Sequence, residues 1–194
     1  MEGSRIACVI LAAGSSSRLG TEKAILDVGS VTLVGWIARR LLANGISPII
    51  VTKSEIENEV VNSVYPCEVI VNPNPSRGRT GTLQIGISAL DLSIDGAFRL
   101  LVVPVDRPGF SDSTVLRLIG SENTCCPQKD GRGGHPLILS VRDVEKIRRA
   151  SPWDSLRDLV NPEKFEVGDP ELHLNIDTPD ILENLTERLS GVIG

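Results

Sequence analysis

Residues 11–23 read LAAGSSSRLGTEK, a run of small residues that follows the apolar stretch IACVIL and carries two cations, Arg18 and Lys23. A glycine-rich loop between a first strand and a helix exposes backbone N–H groups that can cradle a phosphate chain. The familiar versions do not fit. A Walker A loop ends in Gly-Lys-Ser/Thr, whereas Gly20 is followed by Thr21 and Glu22. A dinucleotide fingerprint needs G-x-G-x-x-G, whereas three serines follow Gly14. The length of the loop and its two cations suit a triphosphate held from several sides, with Arg18 and Lys23 placed to follow charge as it moves.

Carboxylates are the second ingredient. Asp106 lies just past FRLLVV, at the carboxyl end of a predicted strand, the edge where open α/β sheets bind ligands. A carboxylate facing a polyphosphate is unfavourable unless a hard cation stands between them, and Mg2+ bound through one or two carboxylates plus phosphate oxygens removes the repulsion. Alone, Asp106 also reads as a turn residue before Pro108. Asp177, in LNIDTPDIL, reads either as a second metal ligand or as the N-cap of the last helix, a cap that Thr178 also suits. Of the two histidines, His135 follows a Gly-rich turn and has an acceptor-side or a structural reading. His173 alternates with Leu172 and Leu174 and is expected to face outward without a role.

These residues need a scaffold, and the pattern supplies one. IACVIL, ISPIIVT, EVIV and FRLLVV are short apolar runs, read as buried strands. Between them, 33–44 carries Val34, Ile37, Ala38, Leu41 and Leu42 at helical spacing and closes at Gly45; SEIENEVVNSV and 80–92 are further helices. Strand and helix alternating at this rhythm predict a parallel sheet covered on both faces. After Asp106 the rhythm changes. TCCPQ, KDGRGG and HPLILS read as a hairpin with a long Gly-rich turn, 141–150 and SPWDSLRDLV as helices, ELHLNI as a final strand, and TPDILENLTERL as the closing helix.

Composition narrows the class. The chain has 194 residues, 41% hydrophobic and 23% charged, enough for a sizeable core and against disorder. Its net charge of -5 argues against a duplex nucleic-acid partner, yet permits a local cationic cluster for a small anion. No apolar run reaches the roughly 18 residues of a membrane span, and the run 6–13 lacks a clear positive flank for a signal segment. Cys8, Cys67, Cys125 and Cys126 have no metal-ligand spacing, which predicts a reduced, cytoplasmic protein without structural zinc.

LAAGSSSRLGTEK resembles the L-A-A-G-x-S-x-R-x-G-x-x-K signature of the MobA-like nucleotidyltransferases, typified by molybdenum cofactor cytidylyltransferase. RGRTGTLQIGI, VPVDRP, GRGGHPLIL and LNIDTPDIL resemble four further family segments, in order along the chain. The resemblance implies a Rossmann-like three-layer αβα sandwich of the nucleotide-diphospho-sugar transferase type, mostly parallel with an added β-hairpin. It implies a single domain over 1–194, with nucleotide binding up to about 110 and acceptor binding from about 111.

It further implies that Leu11, Ala12, Ala13, Gly14, Ser15, Arg18, Lys23, Gly81 and Thr82 bind the nucleotide, and that Arg18, Lys23 and Asp106 are catalytic. Asp106 and Asp177 would hold Mg2+, and Gly134, His135 and Arg157 would bind the acceptor. Ala13 in L-A-A-G favours CTP over GTP, and molybdopterin is the implied acceptor. Two departures stand out. Arg107 occupies a position where the cytidylyl enzymes commonly carry Gln, and Asn175 replaces the usual first Asp of the last motif. The expected reaction is nucleotidyl transfer from a triphosphate to a phosphorylated acceptor. Its rivals are guanylyl or other nucleotidyl transfer to a sugar phosphate or another phosphorylated metabolite, a non-catalytic nucleotide-binding or cofactor-delivery protein, and a Rossmann oxidoreductase, which the missing fingerprint disfavours.

Overall fold

The computed structural model describes residues 4–14 and 19–192. β1 (Arg5–Leu11) is the central strand, and from Ala7 onward every residue in it is buried. β2 (Asp27–Val28) and β3 (Val31–Thr32) form a small separate hairpin leading into α1 (Leu33–Ala43). Thr32 caps that helix, its hydroxyl accepting the Gly35 N–H at 3.2 Å, and Gly45 ends it at φ +74°, a conformation glycine adopts without a Cβ penalty. β4 (Ile49–Thr52), α2 (Glu57–Val64), β5 (Val69–Val71), α3 (Gly78–Ser93) and β6 (Phe98–Pro104) continue the alternation.

The second half is less regular. α4 (Asp112–Ile119) is followed by β7 (Cys125–Lys129), β8 (Arg132–Gly133) and β9 (Leu137–Leu139), then α5 (Val141–Arg149), α6 (Leu156–Leu159), β10 (Glu163–Glu166) and α7 (Leu185–Ser190). Among the described residues, eight strands form one sheet in the order β10-β7-β9-β6-β1-β4-β5, with β8 paired to β7. β6, β1, β4 and β5 are parallel, whereas β9 runs antiparallel to β6 and to β7.

Alternation along the buried strands divides the core. Cys8, Ile10, Leu101 and Val103 face α1, α2, α4 and α7; Val9, Leu11, Leu100 and Val102 face α3 and α5. Helices therefore cover both faces, the expected three-layer arrangement. Each fully buried Ile or Leu contributes about 1.5–3 kcal/mol relative to exposure, so the layers fix the strand ends where the loops emerge.

Four sequence expectations are corrected. ELHLNI forms no ladder: its alternating burial mimics a strand, but the amides of Leu172, Leu174 and Ile176 donate to the carbonyls of Asp169, Glu171 and Asp106. The expected hairpin is split, with β8 returning on β7 while β9 inserts between β7 and β6. The closing helix begins as a 3-10 turn over Pro179–Asn184, and its N-cap is Thr178, without a side-chain bond. His173 is also not idle, since its Nε2 lies 3.1 Å from the Lys129 carbonyl.

Candidate active site

A cavity of about 690 Å3 opens at the carboxyl ends of β1 and β6, lined by Leu11, Ala12, Ala13, Gly14, Lys23, Arg79, Thr82 and Asp106. β1 is parallel to β6, with Leu11 opposite Pro104, so the glycine-rich loop and the loop bearing Asp106 leave the sheet side by side. Ser15 and Arg18 lie outside the described residues. Gly81 does not line this cavity: it faces Arg77 and Pro152 around the helix, while Gly78, Arg79 and Thr82 take the cavity side. The rim also carries Lys53, whose ammonium donates to Glu22 at 2.7 Å.

The segment 169–177 is strapped onto the loop after β6. The Ile176 N–H donates to the Asp106 carbonyl at 3.1 Å. A Cβ on Gly109 would meet the Glu171 carbonyl oxygen at 1.8 Å, so only glycine permits that approach. Buried Asp169 accepts from the Ser111 N–H at 2.9 Å and the Thr114 hydroxyl at 2.7 Å, anchoring the strap to the first turn of α4. No local sequence signal announced Asp169.

The strap delivers Asp177 to the cavity mouth. Its carboxylate contacts the Lys23 ammonium and also accepts from the Asn175 amide at 2.5 Å. Asp106 Oδ2 is 3.9 Å from the same Lys23 nitrogen. Two carboxylates from distant parts of the chain thus converge on one cation. An all-oxygen pair of this kind suits a hard ion such as Mg2+, which takes one or two carboxylates plus phosphate and water oxygens. With Thr178 as the cap, the Asp177 carboxylate is turned to Lys23 instead of the helix start.

Acceptor-side candidates divide. Continuing the β6–β9 register places His135 level with Pro104, beside the loop of Asp106 and Arg107. The His135 Nδ1 is buried and has no hydrogen-bond partner among the described residues. Burial, with the Arg79 and Arg107 cations beside it, pushes the imidazole down to about 4. Burial likewise lowers Arg107 from its ordinary value; Asp106 opposes this, while Arg132 and Arg79 reinforce it. Gly134 is explained by packing, since a Cβ there would run into the Leu172 side chain. Arg157 is exposed on α6 and does not line this cavity. Arg79 and Arg107, which the sequence reading did not assign to the site, sit where charge is concentrated.

A mostly parallel sheet, a glycine-rich loop after its first strand, and two carboxylates meeting a lysine at the ligand edge define a nucleotidyltransferase-type α/β enzyme. Residues 8–167 match the MobA-like NTP transferase domain, and the chain belongs to that family. It is 24% identical over 199 residues to the molybdenum cofactor cytidylyltransferase of Escherichia coli, covering 97% of this chain and 100% of the relative. It is 29% identical over 147 residues to the nicotine blue oxidoreductase of Paenarthrobacter nicotinovorans, covering 74% and 67% respectively. A nucleotidyl transferase from Methanothermobacter shares the fold with a TM-score of 0.78 at 20% identity, over 97% of this chain and 99% of that one.

Proposed function

We propose that this enzyme transfers CMP from CTP to the phosphate of a small acceptor, molybdopterin or a close relative, with release of pyrophosphate and dependence on Mg2+. The observation that carries the proposal is the convergence of Asp106 and Asp177 on Lys23 at the mouth of a cavity floored by the LAAG backbone. An acceptor phosphate oxygen forms a bond to the α-phosphorus, the bond from that phosphorus to the bridging oxygen breaks in line, and pyrophosphate leaves with the electron pair. The attacking oxygen is anionic at neutral pH, so no general base is required, consistent with a neutral His135. The site supplies position and charge neutralisation.

Asp106 and Asp177 would hold the metal, which screens the phosphate charges when bound. Lys23, displaced from its carboxylates, is close enough to the cavity to follow charge onto the leaving pyrophosphate, and the loop amides after β1 add fixed donors. On this reading residues up to about 110 build the nucleotide side and the remainder the acceptor side. The cytidylyltransferase relative supports the choice of base and acceptor. Arg107, a departure from the cytidylyl pattern, favours a second reading in which the acceptor is another phosphorylated metabolite.

Pyrophosphate release measured with each of four triphosphates against a panel of phosphorylated acceptors tests the proposal. Release with CTP and a phosphorylated acceptor supports it. No release with any pair overturns it and leaves the oxidoreductase relative as the better guide.

A further inference from the structure

In the sheet β1 lies between β6 and β4, so the loop that follows it has the Asp106 loop on one side and Lys53, the residue after β4, on the other. The backbone fastens both flanks where the chain leaves the sheet. The Ala12 N–H donates to the Val51 carbonyl at 2.8 Å, and the Val105 N–H to the Leu11 carbonyl at 3.1 Å. Where the chain returns to the cavity, at residues 22 and 23, side chains take over. Glu22 has extended backbone, φ -77° and ψ 118°, which directs successive side chains to opposite sides. Glu22 accepts from the Lys53 ammonium at 2.7 Å, while Lys23 turns to Asp177, with Asp106 at 3.9 Å. Charge therefore alternates across the cavity mouth, from Lys53 through Glu22 and Lys23 to the two carboxylates. Lys53 is a firm anchor: its side chain is 13% exposed, its carbonyl accepts from the Ile56 N–H at 3.3 Å, and Ile56 is buried. Glu55 borders the same cavity, yet the Lys53 ammonium is turned to Glu22.

We propose that the Glu22–Lys53 ion pair is a tether that holds Lys23 over the two carboxylates and keeps its ammonium in the cavity when metal and nucleotide displace it. Glu22 and Lys53 are positioning residues that act through Lys23. The proposal rests on the nucleotidyl-transfer reading. Lys23 must let go of Asp177 when a divalent ion arrives, and a flexible lysine stem would then be free to follow solvent. An ion pair largely shielded from water is screened less than an exposed one. It keeps residue 22, and so the root of the Lys23 side chain, fixed to β4 through that exchange.

The test is Mn2+ binding to nucleotide-free protein, followed by electron paramagnetic resonance, because tether and field predict opposite signs. Glu22→Gln removes a negative charge near the carboxylates, which by field alone weakens cation binding. Loss of the tether frees Lys23 from the carboxylates, which strengthens it. Glu22→Gln should therefore bind Mn2+ about threefold more tightly than wild type, and the same substitution in Lys23→Ala should give no tightening, because the cation it positions is gone. With CTP and an acceptor, Glu22→Gln should lower kcat by about tenfold while the CTP KM stays within about twofold. Mn2+ affinity that is unchanged or weaker in Glu22→Gln, tightening that persists in Lys23→Ala, or no Mn2+ binding by any of these proteins overturns the tether. Wild type that transfers no nucleotide overturns the nucleotidyl-transfer reading instead, and the Mn2+ comparison still decides the tether.

Discussion

The Lys23 ammonium lies on the carboxylate of Asp177, and Asp106 approaches the same nitrogen at 3.9 Å. A protein cation thus occupies the point on which two carboxylates converge. Metal and lysine compete there, because a divalent ion between the carboxylates repels the ammonium. Lys23→Ala should therefore bind Mn2+ several-fold more tightly than wild type without nucleotide, by electron paramagnetic resonance. Its kcat should fall by roughly 10²-fold or more while CTP affinity changes little, since the lost interaction strengthens only in the transition state. A rise in KM alone would make Lys23 a uniform binding residue.

Asp106→Asn and Asp177→Asn should each abolish the gain in CTP affinity that Mg2+ confers on wild type. The residues share one cation, so their effects should be non-additive, the double variant costing little more than either single one. Calorimetry with and without Mg2+ measures this. Unchanged metal dependence in Asp177→Asn would return that residue to a purely structural role.

How much of this was legible is clearest at the strands. IACVIL, and FRLLVV apart from the buried Arg99, are apolar because both faces of the sheet are covered, and the loops that follow them carry Lys23 and Asp106. β10, EKFE, was not legible: only Phe165 turns inward on this edge strand, and its charges read as loop. ELHLNI was misread because its period of two comes from packing against the core without a neighbouring strand. The pairing of Asp177 with Lys23 depends on tertiary contacts at Gly109 and Asp169 that have no local pattern. Arg107 showed only as a departure from the family motif.

Gly109→Ala should destabilise the protein by about 3 kcal/mol, because the added carbon meets a backbone oxygen that cannot rotate away. It should also weaken Mg2+-dependent CTP binding by loosening the strap that carries Asp177. Gly14→Ala, with no described residue within 4 Å of the new carbon, should leave stability unchanged. Denaturant midpoints compare the two, and equal midpoints would mean that the strap is not held at Gly109.

His135 should impose a stability loss in acid. Its unfolded value is about 6.5 and its folded value about 4, so between them the unfolded chain binds the extra proton. Stability then falls as pH drops through that window, by on the order of 3 kcal/mol in total. Urea unfolding of wild type and His135→Gln at pH 7 and pH 4.5 isolates the contribution. The variant should lose less on acidification; parallel losses would show that the imidazole is not buried neutral.

Arg157→Ala should leave the acceptor KM within about twofold of wild type, because that side chain is exposed away from the cavity. Steady-state kinetics with the acceptor varied at saturating CTP measures this. A larger effect at Arg157 would move the acceptor site toward α6.

Nucleotidyl transfer itself is tested most directly by following two labels. With CTP labelled at the α-phosphorus, Mg2+ and a phosphorylated acceptor, the label should appear in the acceptor product. With CTP labelled at the γ-phosphorus, it should leave entirely as pyrophosphate, and both outcomes should vanish in Asp106→Asn. A γ-label on the acceptor, or release of label as inorganic phosphate, would mean that the bond to the α-phosphorus is not the one exchanged, and would contradict the assignment of Asp106, Asp177 and Lys23 to that step.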